Sequence, residues 1–237
     1  MGFFTEQIYY KGVKMAVVIF DVETVGVDFE GLDPLSKEAL LKNAETEEEE
    51  QTIKDGLGLS PLTGEIVAIA MLDCGSDEGV VYYQDSDNAG ESLREDNVDY
   101  IVCSEKEILE NFWKRIKLYQ QFVTYNGRGF DCPYIMIRSG IFKIKPTRDL
   151  MPYRYDTKSH IDLYDQLTFY GAMRRGFSLH MVTHAFGIKS PKEEGVSGGF
   201  VADLFEQKRN FDIACYCMRD VRATKDVYLR WEKYIRP

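Results

Sequence analysis

The chain has 237 residues, 44% of them hydrophobic, with 29 basic against 39 acidic side chains and a net charge of −10. That length and apolar content suffice to bury the core of one compact α/β domain. No apolar run reaches transmembrane length, residues 1–14 lack the apolar core of a secretory signal, and the five cysteines form no Cys-x-x-Cys pair, which excludes a helical membrane span and argues for reduced cysteines in a cytoplasmic protein.

Residues 1–14 read as a lead-in, because Met15 directly precedes the first strand signal, Ala16-Val17-Val18-Ile19-Phe20, an apolar run rich in β-branched residues. Asp21 and Glu23 follow it, and the period of two puts both on one face of a strand; by themselves they read better as a solvated strand end, and the apolar run before them is what places Asp21 at the rim of a buried sheet. Residues 28–60 form an acidic insertion, with ten acids against three bases, the run Glu47-Glu48-Glu49-Glu50 and a Gly-rich close. A short helix over 36–52 is expected there, as a solvated helix or a mobile loop. Strands over 65–72 and 79–84 come next, then a polar loop to Val102 and a helix over 104–118 whose start is fixed by the capping box Ser104-x-x-Glu107.

Residues 122–125 read as a buried strand and Asn126-Gly127 as a turn. Asp131 precedes a helix with Pro133 in its first turn, so the local reading of Asp131 is an N-cap. A strand over 160–163 follows, then a helix led in by Phe177-Ser178-Leu179 and ending at Phe186-Gly187-Ile188. The last helix covers 211–229, without Gly or Pro. On it Tyr216 and Asp220 stand at i and i+4, on one face, where an ordinary hydrogen-bonded surface pair is also possible. Three strands followed by alternating helix and strand predict an α/β fold, a mixed sheet with helices on both faces.

Taken together, Asp21-Val22-Glu23, Asn126-Gly127-Arg128-Gly129-Phe130-Asp131 and Tyr216-Cys217-Met218-Arg219-Asp220 resemble the motifs of the DEDD superfamily of 3′-to-5′ exonucleases, in the subgroup whose third motif is Tyr-x-x-x-Asp. The chain is similar from Met15 onward to the proofreading exonuclease domain of family-B DNA polymerases and to stand-alone predicted exonucleases like it. The resemblance implies an RNase H-like domain over 15–237 that removes nucleotides from the 3′ end of single-stranded nucleic acid, DNA in the first instance. It makes Asp21, Glu23, Asp131 and Asp220 ligands of two Mg²⁺ or Mn²⁺ ions and Tyr216 the residue that positions the attacking water. Thr24, Asn126 and Phe130 become candidate substrate contacts, and Phe130 and Tyr170 candidate stacking partners for bases. Hard oxygen ligands suit these cations, and a pair of them can clamp the attacking and leaving oxygens of a phosphodiester. A catalytically silent binding module on the same fold and an RNase H-type endonuclease are the competing readings.

The remaining candidates carry blander readings beside the functional ones. His180 and His184 share a helical face, but no Glu or Cys accompanies them or His160 in a zinc motif, so all three read as core or surface histidines. Asp156, Asp162 and Asp165 are expected to support the site or to cap turns. Residues 195–199, Gly-Val-Ser-Gly-Gly, read as a flexible loop bordering a substrate groove. Lys143, Lys145, Arg148 and Arg174-Arg175 offer a basic rim for phosphates.

Overall fold

The computed structural model describes residues 9–10, 13–14, 16–190 and 200–236. Tyr9–Tyr10 (β1) and Val13–Lys14 (β2) form a small antiparallel ladder. The main sheet comprises β3 (Val17–Gly26), β4 (Gly64–Asp73), β5 (Gly79–Tyr83), β6 (Ser92–Glu95), β7 (Val98–Val102), β8 (Gln121–Thr124) and β9 (His160–Asp162), in the spatial order β6-β7-β5-β4-β3-β8-β9. β4 runs antiparallel to β3 and β5, whereas β3, β8 and β9 run parallel to one another, as do β5 and β7.

The helices are α1 (Pro34–Leu41), α2 (Glu47–Asp55), α3 (Glu105–Ile116), α4 (Asp131–Ile141), α5 (Leu163–Leu167), α6 (Leu179–Phe186), α7 (Phe200–Glu206) and α8 (Asn210–Tyr234). They leave two cores, one on each face of the sheet. Alternate residues of β3 serve them in turn: Val18, Phe20 and Val22 pack with α3 and α4, Val17, Ile19 and Val25 with α6, α7 and α8. β4 is apolar on both sides because both its faces are covered. This is the mixed sheet with helices on both faces that the order of elements predicts.

Several boundaries differ from expectation for identifiable reasons. β3 continues through Gly26, because Asp21 to Val25 pair with β4 despite their polar content, around a register shift at Glu23/Thr24. The polar loop before Val102 is a hairpin: Val98, Tyr100 and Val102 alternate inward, and Asp96 and Asn97, both with positive φ, make its two-residue turn. The helix expected over 36–52 is two helices, each with its own cap, Asp33 for α1 and a Thr46/Glu49 capping box for α2. Both are exposed, but the insertion ends in a tight turn at 57–59 that packs on β3. A Cβ at Gly58 would lie 2.9 Å from the Gly26 nitrogen, so glycine permits this approach. α5 and α7 had no separate signal; each is under eight residues long. The glycine loop at 195–199 lies outside the described residues.

Candidate active site

Asp21 and Glu23 lie on the face of β3 that looks toward α8, beyond Val17 and Ile19. Their partners on β4 are Ala70 and Ala68, whose small side chains leave space beside the carboxylates. Carboxylate oxygens of Asp21 and Glu23 and the Cys217 sulfur all lie within 4.8 Å of one another. Cys217 is a poor ligand for a hard cation. Its thiol donates to the Asp21 carbonyl at 3.5 Å, and burial together with the neighbouring acids pushes it far above its ordinary pKa, so it stays protonated.

Asp131 arrives from the other side of the strand. β8 pairs with β3 only from Val17 to Ile19 and then turns away, leaving the Val22 N–H without a strand partner. That N–H donates to Asp131 Oδ1 at 3.1 Å. The N-cap reading is corrected here: Phe130 occupies the cap position with no side-chain bond, and Asp131 is the first residue of α4 with its carboxylate turned to β3. The connecting loop is held by buried Asp162, which accepts from the N–H groups of Asn126 (3.0 Å) and Arg128 (2.8 Å) while capping α5 through Tyr164. Asn126 takes a left-handed backbone, which asparagine tolerates.

α8 completes the site. Tyr216 and Asp220 share the face toward β3, and the phenol is almost wholly buried. Burial, then the Asp220, Glu23 and Asp21 charges, push the Tyr216 hydroxyl well above its usual pKa, so it is a fixed hydrogen-bond donor. The same crowding governs the acids. Burial raises Asp21 well above the carboxylate range, and Asp131, Glu23 and Asp220 raise it further. Burial and the Asp162 charge raise Asp131 to about 7.

Two cavities flank this wall of acids. One of about 300 Å³ is lined by Asp21, Tyr216 and Asp220 together with Tyr125, Asn126, Tyr164 and Phe177. The other, of about 210 Å³, is lined by Glu23, Thr24, Phe130 and the 58–59 turn. The three candidate substrate contacts are therefore divided: Asn126 borders the first cavity, Thr24 and Phe130 the second. The Thr24 hydroxyl donates to the Gly58 carbonyl at 2.8 Å, and the Phe130 ring packs 5.3 Å from that of Tyr134. Tyr125, Tyr164 and Phe177 were not singled out from the sequence, since aromatics beside apolar runs read as core.

The other candidates take structural places. Asp165 pairs with Arg154, Asp156 accepts from the Lys158 N–H in a turn, and Arg148 donates to the carbonyls of Tyr119, Gln120 and Ser159 rather than standing on a rim. Lys143, Lys145, Arg174 and Arg175 are exposed. His180 Nδ1 lies 2.7 Å from Ser190 Oγ, and among the described residues no histidine joins a metal-ligand cluster.

The donor set fits hard divalent cations: carboxylate oxygens from β3, α4 and α8 converge, and their mutual repulsion with burial is relieved by positive charge. Residues 65–235 match the family model described as "Predicted 3'-5' exonuclease related to the exonuclease domain of PolB". Asp131, Tyr216 and Asp220 lie inside the matched residues, Asp21 and Glu23 before them. Among solved structures, the family B DNA polymerase from the hyperthermophilic archaeon Pyrobaculum calidifontis is similar at a TM-score of 0.58 and 16% identity, over 92% of this chain and 24% of the polymerase chain. The chain thus spans about a quarter of that protein's length, and the likeness is one of fold, RNase H-like in the matched part. Comparison with curated proteins returns no match.

Proposed function

The chain belongs to the family of predicted 3′-5′ exonucleases related to the exonuclease domain of PolB, and from that premise we propose that it is a divalent-metal-dependent 3′-5′ exonuclease acting on single-stranded nucleic acid, DNA in the first instance. The observation that carries the reading is the crowding of Glu23, Asp131 and Asp220, from three separate elements, around Asp21, which with Tyr216 and Asp220 lines one cavity while Glu23 lines the other. Asp21, Glu23, Asp131 and Asp220 would hold two Mg²⁺ or Mn²⁺ ions. When bound, these supply Lewis acidity that lowers the pKa of water and offsets charge building on the phosphate.

The rest falls to the chain itself. Tyr216, kept protonated by its surroundings, donates a hydrogen bond that orients the attacking water, with the Glu23 carboxylate accepting from it. The phosphorus–oxygen bond to the departing 3′ oxygen breaks as the bond to that water oxygen forms; the water's proton leaves by way of Glu23 to solvent, and a solvent proton completes the 3′ hydroxyl. Asn126 on one side and Thr24 with Phe130 on the other border the space for the last nucleotides. Described cysteines that are all free support a reducing, cytoplasmic setting, and residues 15–237 are read as one domain with an acidic insertion over 28–60.

The test is a time course on 5′-labelled single-stranded DNA, RNA and duplex with Mg²⁺ or Mn²⁺, beside a circular single strand. A descending ladder with the circle intact supports the proposal. Cutting of the circle would instead make the protein an endonuclease, and no cutting with retained binding would make it a silent module.

A further inference from the structure

The surface carries a row of aromatic rings, Tyr153, Tyr155 and Tyr170, of which the family resemblance points to Tyr170 alone. The Tyr153 ring lies 5.5 Å from that of Tyr155, and Tyr155 4.6 Å from Tyr170. Tyr153 is 74% exposed, Tyr155 56% and the neighbouring Phe169 59%, while Tyr170 is half-buried and its hydroxyl accepts from the Gln166 amide at 2.7 Å. Exposed contiguous apolar surface of this kind marks an interaction site more often than single exposed residues do. The backbone is bent to present it: Phe169 and Tyr170 both have positive φ, at 50° and 56°, a conformation bulky residues seldom adopt.

The row is tied to the site. Arg128, in the loop that leads into α4 at Asp131, donates to the carbonyls of Pro152 (2.9 Å) and Tyr153 (3.4 Å). Arg154, between two of the tyrosines, pairs with Asp165 on α5, and α5 also carries Tyr164, which lines the cavity next to Asp21. Charge points to the occupant. Residues 143–175 hold seven basic and four acidic side chains in a chain of net charge −10; with Arg154 paired to Asp165, Arg148 turned to backbone carbonyls and Asp162 buried, five basic and two acidic side chains remain. Arg174 and Arg175 are exposed a few residues beyond Tyr170.

Resting on the exonuclease reading, we propose that Tyr153, Tyr155 and Tyr170 form a stacking track that binds the 5′-ward part of a single-stranded nucleic acid whose 3′ end occupies the cavity. Bases stack on the rings, whatever their sequence, and Arg174 and Arg175 follow the phosphates. The track would thereby set a preference for longer strands.

The experiment uses the full chain and 5′-fluorescein oligodeoxythymidylates of 4 and 20 nucleotides. Anisotropy in EDTA reads binding, and turnover with Mn²⁺ reads KM. Wild type is compared with Y153A/Y155A and with Y155W, which keeps a ring. Losing base–aromatic stacking should weaken 20-mer binding at least about 5-fold and raise the ratio of 20-mer to 4-mer KM by a similar factor, with Y155W close to wild type. Unchanged 20-mer affinity and KM ratio in Y153A/Y155A would overturn the track and leave the rings to a protein partner. If the wild type shortens oligonucleotides and the tyrosines make no difference, the track fails alone. If the 20-mer binds in a tyrosine-dependent way yet is never shortened, the track stands and the exonuclease reading falls.

Discussion

Acid should unfold this protein partly through one histidine beneath the site. His160 is buried on β9, with its Nε2 2.8 Å from the Thr124 hydroxyl, its ring stacked 4.2 Å from that of Phe122, and its Nδ1 buried without a hydrogen-bond partner among the described residues. A second ring proton would therefore have no acceptor. Burial, with Arg128 and Arg148 nearby, lowers the His160 pKa to about 3. In the unfolded chain an ordinary histidine titrates near 6.5. The unfolded state thus takes up the proton first, so the stability held above pH 6.5 is lost as pH falls toward the folded value. At pH 5 the loss from this group is about 2 kcal/mol, or about 4–8 °C in Tm for a chain of this size. The assay is thermal unfolding from pH 7.5 to 5 for wild type and H160Q, which removes the titration. The stability gap between them should shift by about 2 kcal/mol across that range, in favour of the variant at low pH. Parallel curves would refute the burial argument.

Y216F keeps the ring and removes the hydroxyl, so turnover should fall roughly 10- to 1000-fold, about 1.4–4 kcal/mol of barrier; normal turnover at saturating substrate would take Tyr216 out of the mechanism. Mg²⁺ or Mn²⁺ should raise the Tm of the wild type by preferential binding to the native state. In D220N most of that rise should vanish while the metal-free fold is as stable or more so, and equal shifts in both proteins would disprove the ligand assignment. G58V forces a side chain against the Gly26 backbone and should cost about 1–3 kcal/mol in denaturant unfolding; a variant as stable as wild type would show that the 57–59 turn can lift off β3.

The strands with long apolar runs, the helix begun by Ser104 and the long Gly-free final helix were all legible, because burial on both faces and a local cap leave a periodic signal. The two acids on one face of β3 and the Tyr216/Asp220 pair follow from periodicity alone. What was not legible depends on partners distant in sequence. Asp131 looked like a cap because nothing local shows that β8 abandons β3 and exposes the Val22 N–H. A supporting or capping role for Asp162 is legible, but not that it gathers the Asn126–Arg128 backbone, since those donors lie 34 and 36 residues away. The hairpin at Asp96-Asn97 is masked by the polar residues around it, although Val98, Tyr100 and Val102 alternate as a half-buried strand should.

The bond between Asp131 and the Val22 N–H has a bearing on how such a protein would decay. A descendant that no longer cleaved nucleic acid would be released from keeping Asp21 and Asp220, whose crowded charges only burden the fold. At 131 it would still need an oxygen acceptor, since leaving a buried N–H unsatisfied costs about 1–3 kcal/mol. Asp or Asn would persist there through selection for folding alone. An intact acid at this position is thus weak testimony of activity, and the acids on β3 and α8 are the ones whose loss would record that catalysis had been given up.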